Sequence, residues 1–273
     1  MFDLSGRRAL VTGAATGLGQ AIAEKLAQAG CDVAATDLPG VDLAGTLERC
    51  RAAAGGAGKS ADAAGAAGGD PAAGGANARF TGCSMDVRDL EQVREGTARA
   101  AEELGAIDIL VNNAGINRPA PGLEVDEANW RDHFDTNVRG GFFCAQAVAP
   151  PMIERGFGRI VFISSQSGLI GIPGQPVYCA TKGAIINLVR SLGVEWAKHG
   201  VTVNSVAPTF VDTNLTHERL EDPEFRAFVL GKVPCGRLAT REDVAHAVVY
   251  LASDEAGMVN CFNLSVDGGW TAW

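Results

Sequence analysis

The sequence predicts one doubly wound α/β domain built on a mostly parallel sheet, spanning residues 1–273. Three observations carry that expectation. Strand-like and helix-like patterns alternate along most of the chain. The run Ile107 to Val111 is continuously apolar, as a strand covered on both faces should be. Near the amino terminus, a short apolar strand, Arg7 to Thr12, runs through a glycine-rich loop into an amphipathic helix. Apolar residues make up 47% of the chain, ample for a core of this size.

In that first unit Ile22, Leu26 and Ala29 fall on one helical face, and Gly30 stops the helix. Gly13 permits a tight turn after the strand, and Gly17 and Gly19 let the backbone approach a ligand. The helix amino terminus adds free N–H groups and a positive dipole, so the unit suits a pyrophosphate. The second strand, Asp32 to Thr36, ends at Asp37, whose carboxylate can accept bonds from both hydroxyls of an adenosine ribose and would repel a 2′-phosphate. Residues 52–78 are mostly Ala and Gly without apolar periodicity, and read as a flexible surface insertion.

A strand from Phe80 ending in Met-Asp-Val, 85–87, precedes a helix, Asp89 to Leu104. The apolar run to Val111 delivers Asn112-Asn113-Ala114-Gly115, a sharp turn with spare donors. Helical spacing then covers Glu127 to Arg155, with Asn137 on the inward stripe and Pro150 and Pro151 expected to kink or end the helix. A buried strand, Arg159 to Ser164, leads through a Gly/Pro-rich loop into a long helix from Pro176 to His199. There Tyr178 and Lys182, four residues apart, share one face. A phenol beside an ammonium makes a proton donor and acceptor. The cation favours phenolate, and bringing a Tyr near neutrality takes roughly 4 kcal/mol, within reach of one close charge in a partly desolvated cleft. Ser165, at the strand's carboxyl end, stands where open α/β sheets place ligands. The strand Val201 to Val206 follows, then an irregular polar segment, 209–236, with a short helix from Pro223 to Leu230, expected as a substrate lid. A helix from Arg241 to Ser253 and a strand from Asn263 to Val266 complete the sheet.

These motifs together resemble the short-chain dehydrogenase/reductase superfamily. The resemblance covers roughly Leu4 to Trp270, apart from the insertion, and rests on Thr-Gly-Ala-Ala-Thr-Gly-Leu-Gly, Asn-Asn-Ala-Gly, Asp-Thr-Asn-Val-Arg-Gly, Ser165 and Tyr-Cys-Ala-Thr-Lys in order. It implies a Rossmann-type domain with seven parallel strands in the order 3-2-1-4-5-6-7 and helices on both faces. It implies catalytic roles for Asn137, Ser165, Tyr178 and Lys182, Asn137 holding a water in a proton relay. Cofactor contacts carried over are Gly13, Thr16, Gly17, Leu18, Gly19, Asp37, Asp86, Val87, Asn113, Ala114, Gly115, Tyr178, Lys182, Pro208, Val211 and Thr213. Where the family has Pro-Gly this chain has Pro208-Thr209, which puts the local backbone path in question, since Thr does not readily take positive φ.

The expected activity is hydride transfer between NAD and a secondary alcohol or ketone. Asn117-Arg118-Pro-Ala-Pro, Asp222-Pro-Glu-Phe and Val266-Asp-Gly-Gly-Trp resemble the gluconate 5-dehydrogenase and 2-deoxy-gluconate 3-dehydrogenase group, pointing to a sugar acid or polyol, with Arg118, Ser165 and Gln175 as substrate residues. The alternative is a 3-oxoacyl-thioester reductase; a non-catalytic dinucleotide sensor is a different class, disfavoured because all four catalytic positions are kept.

A formal charge of -9 argues against nucleic acid or an anionic membrane as partner. Seven scattered cysteines, with no Cys-x-x-Cys pair or Cys/His cluster, suggest reduced thiols and no metal centre. No apolar run is long enough for a signal core or a membrane span, so a cytoplasmic enzyme is expected. Apolar residues Ile186, Val189 and Leu192, outside the Tyr178 face, are expected to form an exposed patch at a subunit contact, and the resemblance implies a homotetramer; Trp270 and Trp273 near the end are expected either at the subunit boundary or folded back onto their own subunit.

Overall fold

A computed structural model describes residues 2–57, 78–213 and 216–272. In chain order it contains β1 (Arg8–Thr12), α1 (Gly17–Gln28), β2 (Asp32–Asp37), α2 (Ala44–Ala57), β3 (Phe80–Ser84), α3 (Leu90–Leu104) and β4 (Ile109–Asn112). There follow α4 (Glu127–Phe134), a π-helical segment (Asp135–Gly140), α5 (Gly141–Arg155), β5 (Gly158–Ile163), α6 (Pro176–Trp196) and β6 (Val201–Pro208). The last elements are α7 (His217–Glu221), α8 (Pro223–Lys232), α9 (Arg241–Ala252) and β7 (Asn263–Val266).

The seven strands form one sheet in the order β3-β2-β1-β4-β5-β6-β7. Every pairing is parallel, with registers such as Val11↔Val111 and Ile163↔Val206. Alternation along the strands divides the core. Ala9 and Val11 pack with Ile22 and Leu26 of α1 and Val244 and Val248 of α9 on one face. Leu10, Leu110, Ile160 and Phe162 pack with Leu104 of α3, Val148 and Met152 of α5, and Ile185 and Val189 of α6 on the other. Central strands therefore bury both faces, which is why β4 reads as an unbroken apolar run.

Local chemistry fixes the helix ends. Asp89 accepts the Glu91 and Gln92 N–H groups at the start of α3, and Gly105 closes it with φ of 86°. Thr240 and Asp243 form a reciprocal capping box on α9.

Several expectations need correction. Helix α2 continues through Ala57, so the first residues of the segment read as an insertion, 52–57, are helical; residues 58–77 lie outside the described residues. β3 stops at Ser84 because the chain turns at Asp86, whose carbonyl accepts the Asp89 N–H. Pro150 and Pro151 do not end α5, which reaches Arg155 while Val148, Ala149 and Met152 stay buried against the sheet. Ile186, Val189 and Leu192 are buried within the subunit, not left as an outer patch: α6 packs on the sheet over a wide arc, and Ile186 lies under the turn at Gly168. Of the two placements expected for Trp270, the structure shows the fold-back onto its own chain, beside Phe210, Leu220, Val229 and Val233; Trp273 lies outside the described residues. The 209–236 segment carries α7 and α8, and this small separate apolar cluster supports it.

Candidate active site

At the carboxyl ends of the strands lies a cavity of about 540 Å³. That is where open parallel sheets present ligand sites. One end is the β1–α1 loop. Gly13 and Gly17 hold φ of +63° and +61°, a region that costs other residues dearly. A Cβ on Gly13 would come within 2.9 Å of Ala114 Cα, and one on Gly19 within 2.1 Å of the Gly13 carbonyl. Gly19 therefore lets the loop fold on itself and is not on the cavity wall, while Gly13, Thr16, Gly17 and Leu18 are.

Asn113 braces this loop: its side-chain amide donates to Thr12 O at 3.0 Å and Gly13 O at 2.8 Å. Thr12 Oγ1 accepts the N–H groups of Asn113 and Ala114. At the tip of β2, Asp37 accepts the Ala15 N–H at 2.9 Å and the Leu38 N–H at 2.8 Å, one on each carboxylate oxygen. Each oxygen keeps a lone pair for a further donor. Asp86 and Val87 also line the cavity. Asp86 is bound by the Arg88 guanidinium at 2.7 Å, which holds its carboxyl below the usual range.

The other end gathers Ser165, Tyr178, Lys182, Arg118 and Pro208, and Val211 and Thr213 run from there back to the glycine loop, where Thr213 faces Gly17. Ser165 starts a single 3₁₀ turn, its hydroxyl accepting the Ser167 N–H at 3.1 Å. Lys182 is almost wholly buried, and its ammonium donates to the Ile163 carbonyl at 2.7 Å. Burial lowers the Lys182 pKa to about 8. The Tyr178 phenol was expected to be drawn toward neutrality by the ammonium; instead burial dominates and pushes it up to about 12, the Ser165 hydroxyl pulling the other way.

Asn137 stands behind this end, not on its wall. It sits in the π-helical segment, 3% exposed, and its Oδ1 accepts the Ile116 N–H at 2.8 Å. Its Nδ2 donates to Ile116 O and to Thr181 Oγ1. Single π turns recur where a helix must present an unusual residue to a functional site. Gly115 packs close by: a Cβ on it would come to 3.3 Å from Asn137 Oδ1 and 3.7 Å from Lys182 Nζ.

Gln175 is buried beneath the mouth and accepts from Asn117 Nδ2 at 3.0 Å; it does not line the cavity. Arg118 does. Its N–H is accepted by His133 Nε2 at 3.1 Å, its carbonyl accepts from Asn129 Nδ2 at 3.1 Å, and its guanidinium pairs with Asp132. Sequence reasoning missed His133, a buried helical residue with nothing in its spacing to mark it. It also missed Arg88 and Thr216, which line the cavity from loops.

The glycine cradle, the free amino end of α1 and the carboxylate on β2 fit a dinucleotide laid across the strand ends, with the reactive ring at Tyr178. A family model described as enoyl-(acyl carrier protein) reductase matches residues 13–271. The chain belongs to the short-chain dehydrogenase/reductase family. This dehydrogenase is 35% identical over 272 residues to the 2-dehydro-3-deoxy-D-gluconate 5-dehydrogenase of Dickeya dadantii, covering 99% of this chain and 98% of that one. It is 38% identical over 266 residues to the 3-oxoacyl-[acyl-carrier-protein] reductase of Haemophilus influenzae, covering 97% and 98%. Its fold matches a crystal structure of a gluconate 5-dehydrogenase from Burkholderia cenocepacia in complex with NADP and tartrate, with TM-score 0.87, 33% identity, and 100% and 98% coverage. The dehydrogenase is thus an oxidoreductase acting on CH–OH donors with a nicotinamide dinucleotide. Among the described residues no helix is long and apolar enough to cross a membrane.

Proposed function

We propose that this enzyme interconverts a secondary alcohol and a ketone on a sugar acid or polyol, using NAD(H). The observation that carries the proposal is that Ser165, Tyr178 and Lys182 share one end of a cavity whose other end is the glycine loop and Asp37. When bound, the nicotinamide dinucleotide supplies or accepts the hydride. Tyr178 donates a proton to the substrate oxygen in reduction and takes it back in oxidation, and Ser165 orients that oxygen. Lys182 places a positive charge near the phenol, with its position fixed by Ile163. Asn137 holds the backbone at Ile116 and belongs to the relay behind Lys182. Gly13, Thr16, Gly17 and Leu18 cradle the pyrophosphate, Asp37 takes the adenosine ribose, and Val211 and Thr213 lie along the carboxamide and phosphate side.

The sugar-acid part of the assignment follows the Dickeya and Burkholderia relatives. Arg118, held from three sides and lining the cavity, is the group suited to a substrate carboxylate. The choice of NAD rests on Asp37: a 2′-phosphate a few Å from its carboxylate costs a few kcal/mol at an effective dielectric near 20. The Haemophilus relative favours a second reading, a 3-oxoacyl-thioester reductase. Assembly as a tetramer and a cytoplasmic location remain part of the proposal, the latter consistent with seven free cysteines.

Turnover of sugar acids, polyols and 3-oxoacyl thioesters with NAD(H) and NADP(H) tests the assignment. It predicts a sugar acid or polyol with NAD preferred by about a hundredfold in kcat/KM, an Asp37→Ala variant losing that preference. Faster turnover of a thioester, or equal use of both cofactors by the wild type, overturns it.

A further inference from the structure

Thr209 follows Pro208 at the end of β6, where the sequence leaves the family pattern. Its backbone shows no strain: among the described residues Cys261 is the non-glycine with positive φ, and Thr209 N–H donates to Val266 O at 3.1 Å. The side chain is what sets this position apart. Thr209 is 7% exposed and lines the cavity, yet its hydroxyl oxygen is shielded and meets no partner among the described residues. A buried hydroxyl left unpaired is costly, and such groups in native proteins call for an explanation.

Its surroundings indicate what completes it. Ile163 pairs with Val206, so two residues further along Pro208 stands level with Ser165, and Thr209 lies just beyond. Downstream the segment turns toward the glycine loop, where Thr213 would be 3.7 Å from a Cβ on Gly17. Thr209 is therefore at the reacting end and Thr213 at the pyrophosphate end. Pro208 has no N–H and that of Thr209 is engaged, so the Thr209 hydroxyl is the one donor these two residues can offer. Next along the chain, Phe210 packs against Phe225 and Trp270, which anchors the position. One staggered step about χ1 carries the hydroxyl into the methyl's position, and the methyl into the hydrogen's, without moving the backbone.

We infer that Thr209 is a specificity-determining residue whose hydroxyl hydrogen-bonds an oxygen on a carbon next to the reacting carbinol. The inference deepens the polyol and sugar-acid assignment and rests on it. A hydroxyl that both donates and accepts matches a substrate hydroxyl or carboxylate and leaves a methylene unmatched.

The test uses threitol and gluconate against butan-2-ol, which lacks oxygen beside its carbinol, with wild type, Thr209→Val and Thr209→Ser. NADH affinity is measured by fluorescence for each. Wild type should prefer the oxygen-bearing substrates. Thr209→Val should reduce that preference in kcat/KM roughly tenfold, as loss of one hydrogen bond does, with NADH affinity within about twofold; Thr209→Ser should keep it. If wild type prefers threitol and gluconate and Thr209→Val keeps the same preference, the inference fails while the substrate assignment stands. A wild type indifferent to the neighbouring oxygen removes the assignment and the inference with it. Weaker NADH binding in Thr209→Val, equal for all substrates, assigns the hydroxyl to the cofactor's carboxamide and also overturns the inference.

Discussion

Lys182 Nζ lies 5.5 Å from the centre of the Tyr178 ring while it donates a hydrogen bond to the Ile163 carbonyl at 2.7 Å. Burial governs both ionisations, with the Ser165 hydroxyl as a counterweight at the phenol. Burial brings Lys182 down to about 8 and takes Tyr178 up to about 12. Near pH 7 the lysine is still charged and the phenol neutral, the state suited to protonating a ketone.

Lys182→Met therefore has two separable effects. A lysine pKa of about 8 in the fold against an unfolded value near 10.5 means that holding the ammonium costs stability below pH 8, and that the cost fades as pH rises toward 10.5. The variant should unfold at higher temperature than wild type at pH 7, by the equivalent of about 1–3 kcal/mol, with the gain shrinking above pH 8. Its alcohol-oxidation profile should move to higher pH, because the phenolate loses its neighbouring cation. Thermal melts and kcat/KM between pH 6 and 10 check both.

Trp270 bears on the 209–236 segment. Its ring is 5.8 Å from Phe210 and 6.3 Å from Phe228, and it is 6% exposed in a cluster apart from the two main cores. Asp267 fixes the approach by accepting from Gly269 N–H, Thr271 N–H and the Thr271 hydroxyl. Trp270→Ala leaves a cavity worth about 3–5 kcal/mol if nothing collapses. The loss should be local: faster proteolysis within 209–236 and a several-fold rise in substrate KM, with NADH affinity little changed. Limited proteolysis beside steady-state kinetics distinguishes this from global unfolding.

Most of the architecture was legible because it obeys simple periods. Continuous apolar strands, the glycine loop and the i, i+4 pair of Tyr178 and Lys182 each leave a pattern in the letters. The sequence placed Asn137 on an inward stripe, but a six-residue π segment has no period to announce it. Contacts between distant loops were equally silent: His133 with the Arg118 backbone, or Arg88 neutralising Asp86. The expected outer patch on α6 failed for a physical reason. A helix packed on a central sheet and under the Gly168 turn buries more than one stripe, so apolar residues off the Tyr178 face did not imply exposure.

Asp243 gives a prediction away from the site. It closes the α9 capping box and accepts two bonds from Arg237, which pulls its carboxyl down to about 2. A folded pKa below the unfolded one stabilises above about pH 4, and that contribution disappears as pH falls through 2. Asp243→Asn should cost about 1 kcal/mol at pH 7, a shift of roughly 2–4 °C in Tm. The difference from wild type should close as pH is lowered from 4 to 2, and melts across that range follow it.

The central claim is that Tyr178 carries the proton. Tyr178→Phe removes one oxygen from a side chain that also lines the cavity, so cofactor binding and chemistry can be read separately. NADH affinity by fluorescence should stay within a few-fold of wild type, while kcat falls by at least about a hundredfold, the lower end for loss of a general acid. A variant that binds NADH normally and turns over at near wild-type rate contradicts the account.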